Sequence, residues 1–223
     1  MSIIFWDFDG TLVHSNSLLS NSVYTALLDF QPDTDVKFAD IRKCMAKGFT
    51  WHTPDNDYSS LIYNKWWDFM TNKIYNDYLS LGVNADTSAL ASAKVRSIIK
   101  RKENYIIYHD TVEALKLSLT KGNTNVILSN NYPDLDEVLD ELELTQLFDR
   151  IIVSACVGYD KPRKEIFDIA KSYYPDNDYI MIGDSVNADI IGGKNAGMTT
   201  ILVHKGFSSQ ADYCFDNLSD IKF

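Results

Sequence analysis

The chain is short of cysteine, proline and positive charge. Its 223 residues hold three cysteines and five prolines, and 21 basic side chains face 31 acidic ones, for a formal charge of −10. Each shortage excludes something. Cys44, Cys156 and Cys214 form no CxxC pair and are odd in number, which argues against a disulfide framework and fits a reducing compartment, the cytoplasm. Four histidines and no His/Cys cluster leave a zinc site without its donors. So acidic a chain repels phosphate backbones, and a nucleic-acid polymer is not expected as a partner. The first apolar run has no basic residue before it and stops at Asp7, so neither a signal peptide nor a membrane span is expected. No linker rich in Pro, Gly or Ser, internal repeat or low-complexity tract is evident.

What remains is a regular alternation. Residues 2–7, 125–130, 150–155, 179–184 and 199–204 are short apolar runs bounded by polar residues or glycine. Runs apolar on both faces suit a parallel sheet covered by helices. Between them, residues 110–121, 133–144, 162–173 and 186–197 carry helical periodicity, with Pro133 and Pro162 opening two of them and Gly197 a left-handed stop. The pattern predicts an α/β fold, a doubly wound parallel sheet with a Rossmann-like core.

Residues 14–104 break the alternation. Helices are expected from Val23 to Phe30, over 60–82 and over 88–102, with no convincing strand. Residues 14–103 hold 11 basic and 10 acidic side chains, near neutrality in an otherwise acidic chain. The reading is an inserted all-helical cap (14–104) over the carboxyl end of the first strand, with the core formed by 1–13 and 105–223. Short hinges are placed near 13–16 and 102–109, with opening and closing of the cap expected. Trp66, Trp67 and Met70, with Ile62 and Tyr63, lie at helical spacing and read as packing. The loop 48–58, with Phe49, Trp51, His52 and Tyr58 in or beside it, is too polar and too marked by Gly and Pro for a helix, and reads as an overhang that stacks on a base or sugar. Arg42, Lys43 and Lys47 precede it as candidates to meet a second anion, a solvated face being the plainer reading. His14, His109 and His204 receive no role.

In an open parallel sheet, ligands bind beyond the carboxyl ends of the strands. "IIFWDFDGTL" (3–12) places Asp7 and Asp9 there, Ser129-Asn130 ends the second run, Lys161 follows the third, and Asp184 ends the fourth with Asp189 five residues on. Singly each has a plainer origin: turns for Asp beside Gly, a helix cap for Ser129 and Asn130, a solvated Lys161, a first-turn carboxylate for Asp189. Together they define chemistry. Three carboxylates repel without a cation, and hard oxygen donors favour Mg²⁺. One carboxylate can then attack phosphorus, forming an aspartyl phosphate, with Lys161 and Ser129 as donors to the phosphoryl oxygens. Asp9 is placed to protonate the leaving oxygen and then to deprotonate water. Gly10 and Thr11 would form a tight turn whose amides face the phosphate.

"DFDGT", "LSN", "GYDKP" and "GDSVNAD" resemble the four ordered motifs of the haloacid dehalogenase-like hydrolase superfamily, and the insert resembles that superfamily's cap of the first type. The resemblance covers nearly the whole chain. It implies Asp7 as nucleophile, Asp9 as acid/base, and Ser129 and Lys161 as phosphate holders with Asn130 adding contacts. It also implies Mg²⁺ on the Asp7 carboxylate, the Asp9 backbone carbonyl and Asp184, with Asp189 behind them or reached through water. His14 and Arg163 stand where many relatives carry Asp, outside the residues that carry the chemistry. The expectation is a Mg²⁺-dependent phosphomonoester hydrolase acting on a small phosphorylated metabolite. The alternatives are a phosphomutase of the same fold or a non-catalytic phosphate-ligand-binding protein. The motifs do not name the leaving group; the aromatic loop puts a nucleoside monophosphate or aryl phosphate first among those to test.

Overall fold

A computed structural model of the chain describes residues 1–14 and 17–223. In chain order, β1 (Ser2–Trp6) and the short β2 (Val13–His14) lead into four helices, α1 (Leu18–Phe30), α2 (Phe38–Met45), α3 (Asn64–Ser80) and α4 (Ala85–Ile99). Then come β3 (Ile106–Ile107), α5 (Thr111–Thr120), β4 (Thr124–Ser129), α6 (Leu135–Glu141), β5 (Arg150–Val153), α7 (Ser154–Val157) and α8 (Lys164–Ser172). The chain ends with β6 (Asp178–Gly183), α9 (Gly192–Asn195), β7 (Thr199–Val203) and β8 (Tyr213–Phe215).

Six strands form one sheet in the order β5-β4-β1-β6-β7-β8, and every pairing in it is parallel. β1 lies in the middle because all its residues from Ile3 to Trp6 are buried, which only a strand covered on both faces allows. Ile4 and Trp6 pack on one face, Ile3 and Phe5 on the other. The sequence order of the strands reverses at β1. Trp6 pairs with Ile127 of β4 and Ile182 of β6, so Asp7, Ser129 and Asp184 leave the sheet at one edge, at the reversal point. The polar groups beneath Trp6 satisfy one another: the indole N–H donates to Asn125 Oδ1 at 3.0 Å, and the Asn125 amide donates to Leu115 O and Leu147 O.

The apolar face carrying Ile4 and Trp6 continues without a break into the cap, through Leu27, Met70, Ile74 and Val95. Two polar ties hold the cap to the segment that opens α6. Trp67 Nε1 donates to Asp134 Oδ2 at 2.7 Å, and Arg96 forks onto both Asp134 oxygens at 2.9 and 2.7 Å. No helix among the described residues is long and apolar enough to cross a membrane.

Several elements differ from expectation. α2 has no counterpart in the sequence pattern: it spans eight residues, and its buried side is Ile41 and Met45, too few for a clear period. At the expected hinges, β2 and β3 pair antiparallel (Val13 with Ile107, His14 with Ile106), because the chain enters and leaves the cap side by side and the two backbones satisfy each other. Residues 15 and 16 of the first hinge lie outside the described residues. β8 adds a sixth strand too short to signal itself. The helix expected over 186–197 begins as a π-helical stretch, Val186–Ile191, and stops at Gly197 with φ +77° as expected.

Candidate active site

The site begins with the turn after β1. Asp7 N donates to Ile182 O at 2.9 Å, which fixes where the strand ends. Leu12 N then returns to Phe8 O at 2.9 Å and Gly10 N to Val13 O at 2.7 Å. Gly10 has φ +84°, and a Cβ on it would lie 2.4 Å from Asp184 Oδ2. Glycine is therefore required twice here, by the backbone and by the approach of that carboxylate. The turn engages the Gly10 amide, and Thr11 N faces Phe8 O at 3.3 Å, so these amides do not take the expected direction towards a phosphate. Closing so tight a turn needs those donors. Thr11 is buried, and its carbonyl meets His204 Nε2 at 3.1 Å.

Asp7 is buried, and its Oδ1 accepts from Ser129 Oγ at 2.9 Å and from Lys161 Nζ at 3.0 Å. Lys161 is 2% exposed, unusual for a lysine, and its ammonium also donates to Leu128 O at 2.7 Å and Asp189 Oδ1 at 2.6 Å. Burial opposes its charge, but the Asp189 and Asp7 carboxylates outweigh that and hold its pKa above the ordinary lysine value. Asn130 sets the lysine: its amide donates to Lys161 O at 2.8 Å and its Oδ1 accepts from Lys161 N at 2.7 Å. Both polar ends of the Asn130 side chain are thus engaged by Lys161. Behind them, Asp189 is fully buried and also accepts from Ser185 N at 3.0 Å. A Cβ on Gly183 would lie 2.1 Å from Asp189 Oδ2, so that position too must be glycine.

Asp9 is half-buried beside Asp7 and accepts from Asn131 Nδ2 at 2.8 Å. Asn131 in turn accepts from Tyr132 N at 2.9 Å, which fixes the amide's orientation. Sequence reasoning missed Asn131; the only signal was a second Asn directly after Ser129-Asn130. It also missed Lys205, whose ammonium lies 3.1 Å from Asp184 Oδ2 on a half-exposed side chain.

Oxygens of Asp7, Asp184 and Asp189 lie within 4.8 Å of one another. Burial, then the Asp7 charge, raises the Asp184 carboxyl above its ordinary pKa. Both Asp189 oxygens already have donors, which leaves Asp7 and Asp184 as the pair with capacity for a cation. An oxygen-only donor set under mutual repulsion fits a hard divalent ion.

Two cavities meet at this point. One of about 300 Å³ is walled by Asp7, Ser129, Lys161, Asp184 and Asp189. The other, about 320 Å³, lies under the cap against Leu19, Met45, Phe49, Trp66, Ile99 and Tyr132. Asp9, Asn130 and Trp51 line both. Trp51 stacks on Phe49 (4.7 Å between centroids, 6° between planes) and on Trp66 (6.3 Å, 26°). Trp66 is therefore cavity wall as well as packing, while Trp67 anchors the cap. Arg42, Lys43 and Lys47 are exposed and line neither cavity. Arg163 holds the cap loop to the core, donating to Asn56 O at 2.9 Å.

A family model described as haloacid dehalogenase-like hydrolase matches residues 1–197. Pyrimidine 5′-nucleotidase YjjG of Escherichia coli (strain K12) is 38% identical over 89 residues, a match that spans 38% of this chain and only 40% of that one. Glyceraldehyde 3-phosphate phosphatase of Pyrococcus furiosus is 23% identical over 233 residues, covering 99% and 88%. Among solved structures, the HAD-hydrolase YfnB of Bacillus subtilis, described as bound to magnesium, superposes with a TM-score of 0.75 at 19% identity, covering 98% of this chain and 96% of that one. At that identity the likeness speaks to the fold alone.

Proposed function

The chain belongs to the haloacid dehalogenase-like hydrolases, and on that premise we propose that it is a Mg²⁺-dependent phosphatase that removes the phosphoryl group from a small phosphorylated metabolite. One observation carries the reading: a buried Asp7 carboxylate with Ser129 and Lys161 on one oxygen, and a second, Asn131-held carboxylate, Asp9, beside it. The phosphatase and nucleotidase names of the relatives support the same reaction class.

In this reading Asp7 attacks phosphorus and the P–O bond to the leaving group breaks. Asp9 delivers its proton to the departing oxygen. Asp9 then takes a proton from water as that water attacks the aspartyl phosphate, releasing inorganic phosphate and restoring Asp7. Ser129 and Lys161 turn their donors from Asp7 to the phosphoryl oxygens, where charge develops. Asn130 acts through Lys161, and Asp189 holds the ammonium from behind. Mg²⁺, held by the Asp7 and Asp184 carboxylates and the Asp9 backbone carbonyl, would neutralise phosphoryl charge. Three free thiols support a reducing compartment. The test is phosphate release from a panel of phosphomonoesters, with and without Mg²⁺, by the wild type and by Asp7→Asn. Metal-dependent turnover lost in the variant is expected; equal turnover in the two proteins would remove Asp7 from the mechanism.

A further inference from the structure

The cavity under the cap bears on the leaving group, and its role rests on the phosphatase activity proposed for Asp7. Because Asp9 and Trp51 line both cavities, a phosphoryl group held at Asp7 has its ester oxygen near Asp9 and the rest of its substrate under the cap. Among the described residues, no Lys, Arg or His lines the cap cavity, and Asp9 is its one charged group. Lys73, whose ammonium lies 5.0 Å from the Phe49 ring centroid, does not line the cavity and is engaged by Asp77 at 2.6 Å and by Cys44 O. A carboxylate or second phosphate on the leaving group would lose its water, meet no counter-charge and face Asp9. Phe49, Trp51 and Trp66 instead offer a wall of rings, one of them nearly parallel to its neighbour. Trp66 is 3% exposed, and its indole N–H has no acceptor within the protein. A buried donor without a partner favours a ligand that brings one.

We propose that this cavity selects an uncharged leaving alcohol bearing a planar ring with a carbonyl acceptor, the chemistry of a nucleoside 5′-monophosphate. Trp51, half-buried and backed by Phe49, supplies the stacking surface, and the Trp66 N–H meets the carbonyl. Leaving groups with a second anion are refused.

The experiment measures kcat/KM with Mg²⁺ on uridine 5′-monophosphate (ring and carbonyl), phenyl phosphate (ring only), glycerol 3-phosphate (uncharged, no ring) and 2-phosphoglycolate (second anion). Uridine 5′-monophosphate is expected first and 2-phosphoglycolate last, at least about a hundredfold lower. Trp66→Phe keeps the ring and removes the N–H; it should raise KM for the uridine ester about tenfold with kcat little changed, and affect phenyl phosphate less. Leu19→Lys, on a half-buried wall position, should raise kcat/KM for 2-phosphoglycolate about tenfold. Comparable rates for 2-phosphoglycolate and the uridine ester would overturn the inference while leaving a phosphatase. Equal losses on both ring esters in Trp66→Phe would overturn the role of its N–H. Hydrolysis of none of the four would sink the phosphatase reading instead. Calorimetry of uridine on the Asp7→Asn protein then judges the cavity by itself: binding weakened about tenfold by adding Trp66→Phe supports it, and no binding of uridine overturns it.

Discussion

The two cavities that meet at Asp9 share three wall residues and little else. The core cavity is built from the ends of adjacent strands, is lined by charge, and tolerates no side chain at Gly10 or Gly183. The cap cavity is assembled from α1, α2, the loop before α3, α3 itself and the end of α4, and is walled by rings and aliphatic groups. In the core cavity Ser129 and Lys161 both donate to Asp7, and Lys161 to Asp189 as well. Trp66, on the wall of the cap cavity, has a buried indole N–H with no acceptor within the protein. The contrast separates two tasks. Fixed, mutually satisfied charges suit a reaction whose geometry must not vary. An apolar pocket that contacts a substrate without changing charge suits choosing among leaving groups.

That division can be broken by substitution. Asp7→Asn should lower turnover at least about 10,000-fold on every ester, because the nucleophile proposed at Asp7 would serve all leaving groups alike; a loss confined to ring-bearing substrates would blur the two cavities. Lys161→Met leaves two buried carboxylates without their shared cation, and urea denaturation should show about 3–5 kcal/mol lost. No loss would mean that the charged cavity is less tightly built than its distances imply. Asp9→Asn, at the boundary, should slow release of the alcohol from alkyl esters about a hundredfold or more and the first burst of 4-nitrophenol much less, since that leaving group needs no proton, while the later breakdown of the aspartyl phosphate slows for both. Mg²⁺ at about a hundred times its Kd should stabilise the wild type by about 2.7 kcal/mol and Asp184→Asn far less, as a shift in melting temperature. Arg163→Ala, which removes a tie between cap loop and core, should cost about 1 kcal/mol and speed hydrogen exchange over residues 50–58, without changing the order of substrates.

Legibility in the sequence divides along the same line. Asp7, Asp9, Ser129, Lys161 and Asp184 stand out because strand ends are marked by apolar runs, and a parallel sheet brings its ends together whatever lies between. Asn131 and Lys205 stay hidden, since their partners, Asp9 and Asp184, are 122 and 21 positions away and no local period connects them. The direction of the Gly10 and Thr11 amides is misjudged from sequence because a turn's internal hydrogen bonds are invisible until it is closed. In the cap, Trp66 and Trp67 are neighbours on one helix with the same local signal, yet one lines a cavity and the other holds Asp134. Only the docking of α3 separates them. The pairing of β2 with β3 is likewise missed, for two residues on each strand carry no pattern.

Everything proposed for the core cavity depends on the transfer of phosphorus to Asp7. The direct measurement is a rapid acid quench of the protein with a phosphorus-labelled ester that it hydrolyses, followed by peptide mapping. Label on the peptide containing Asp7, absent from Asp7→Asn and lost on chasing with unlabelled ester, is the predicted result. A burst of free phosphate with no labelled peptide, or label carried by another residue, would contradict it.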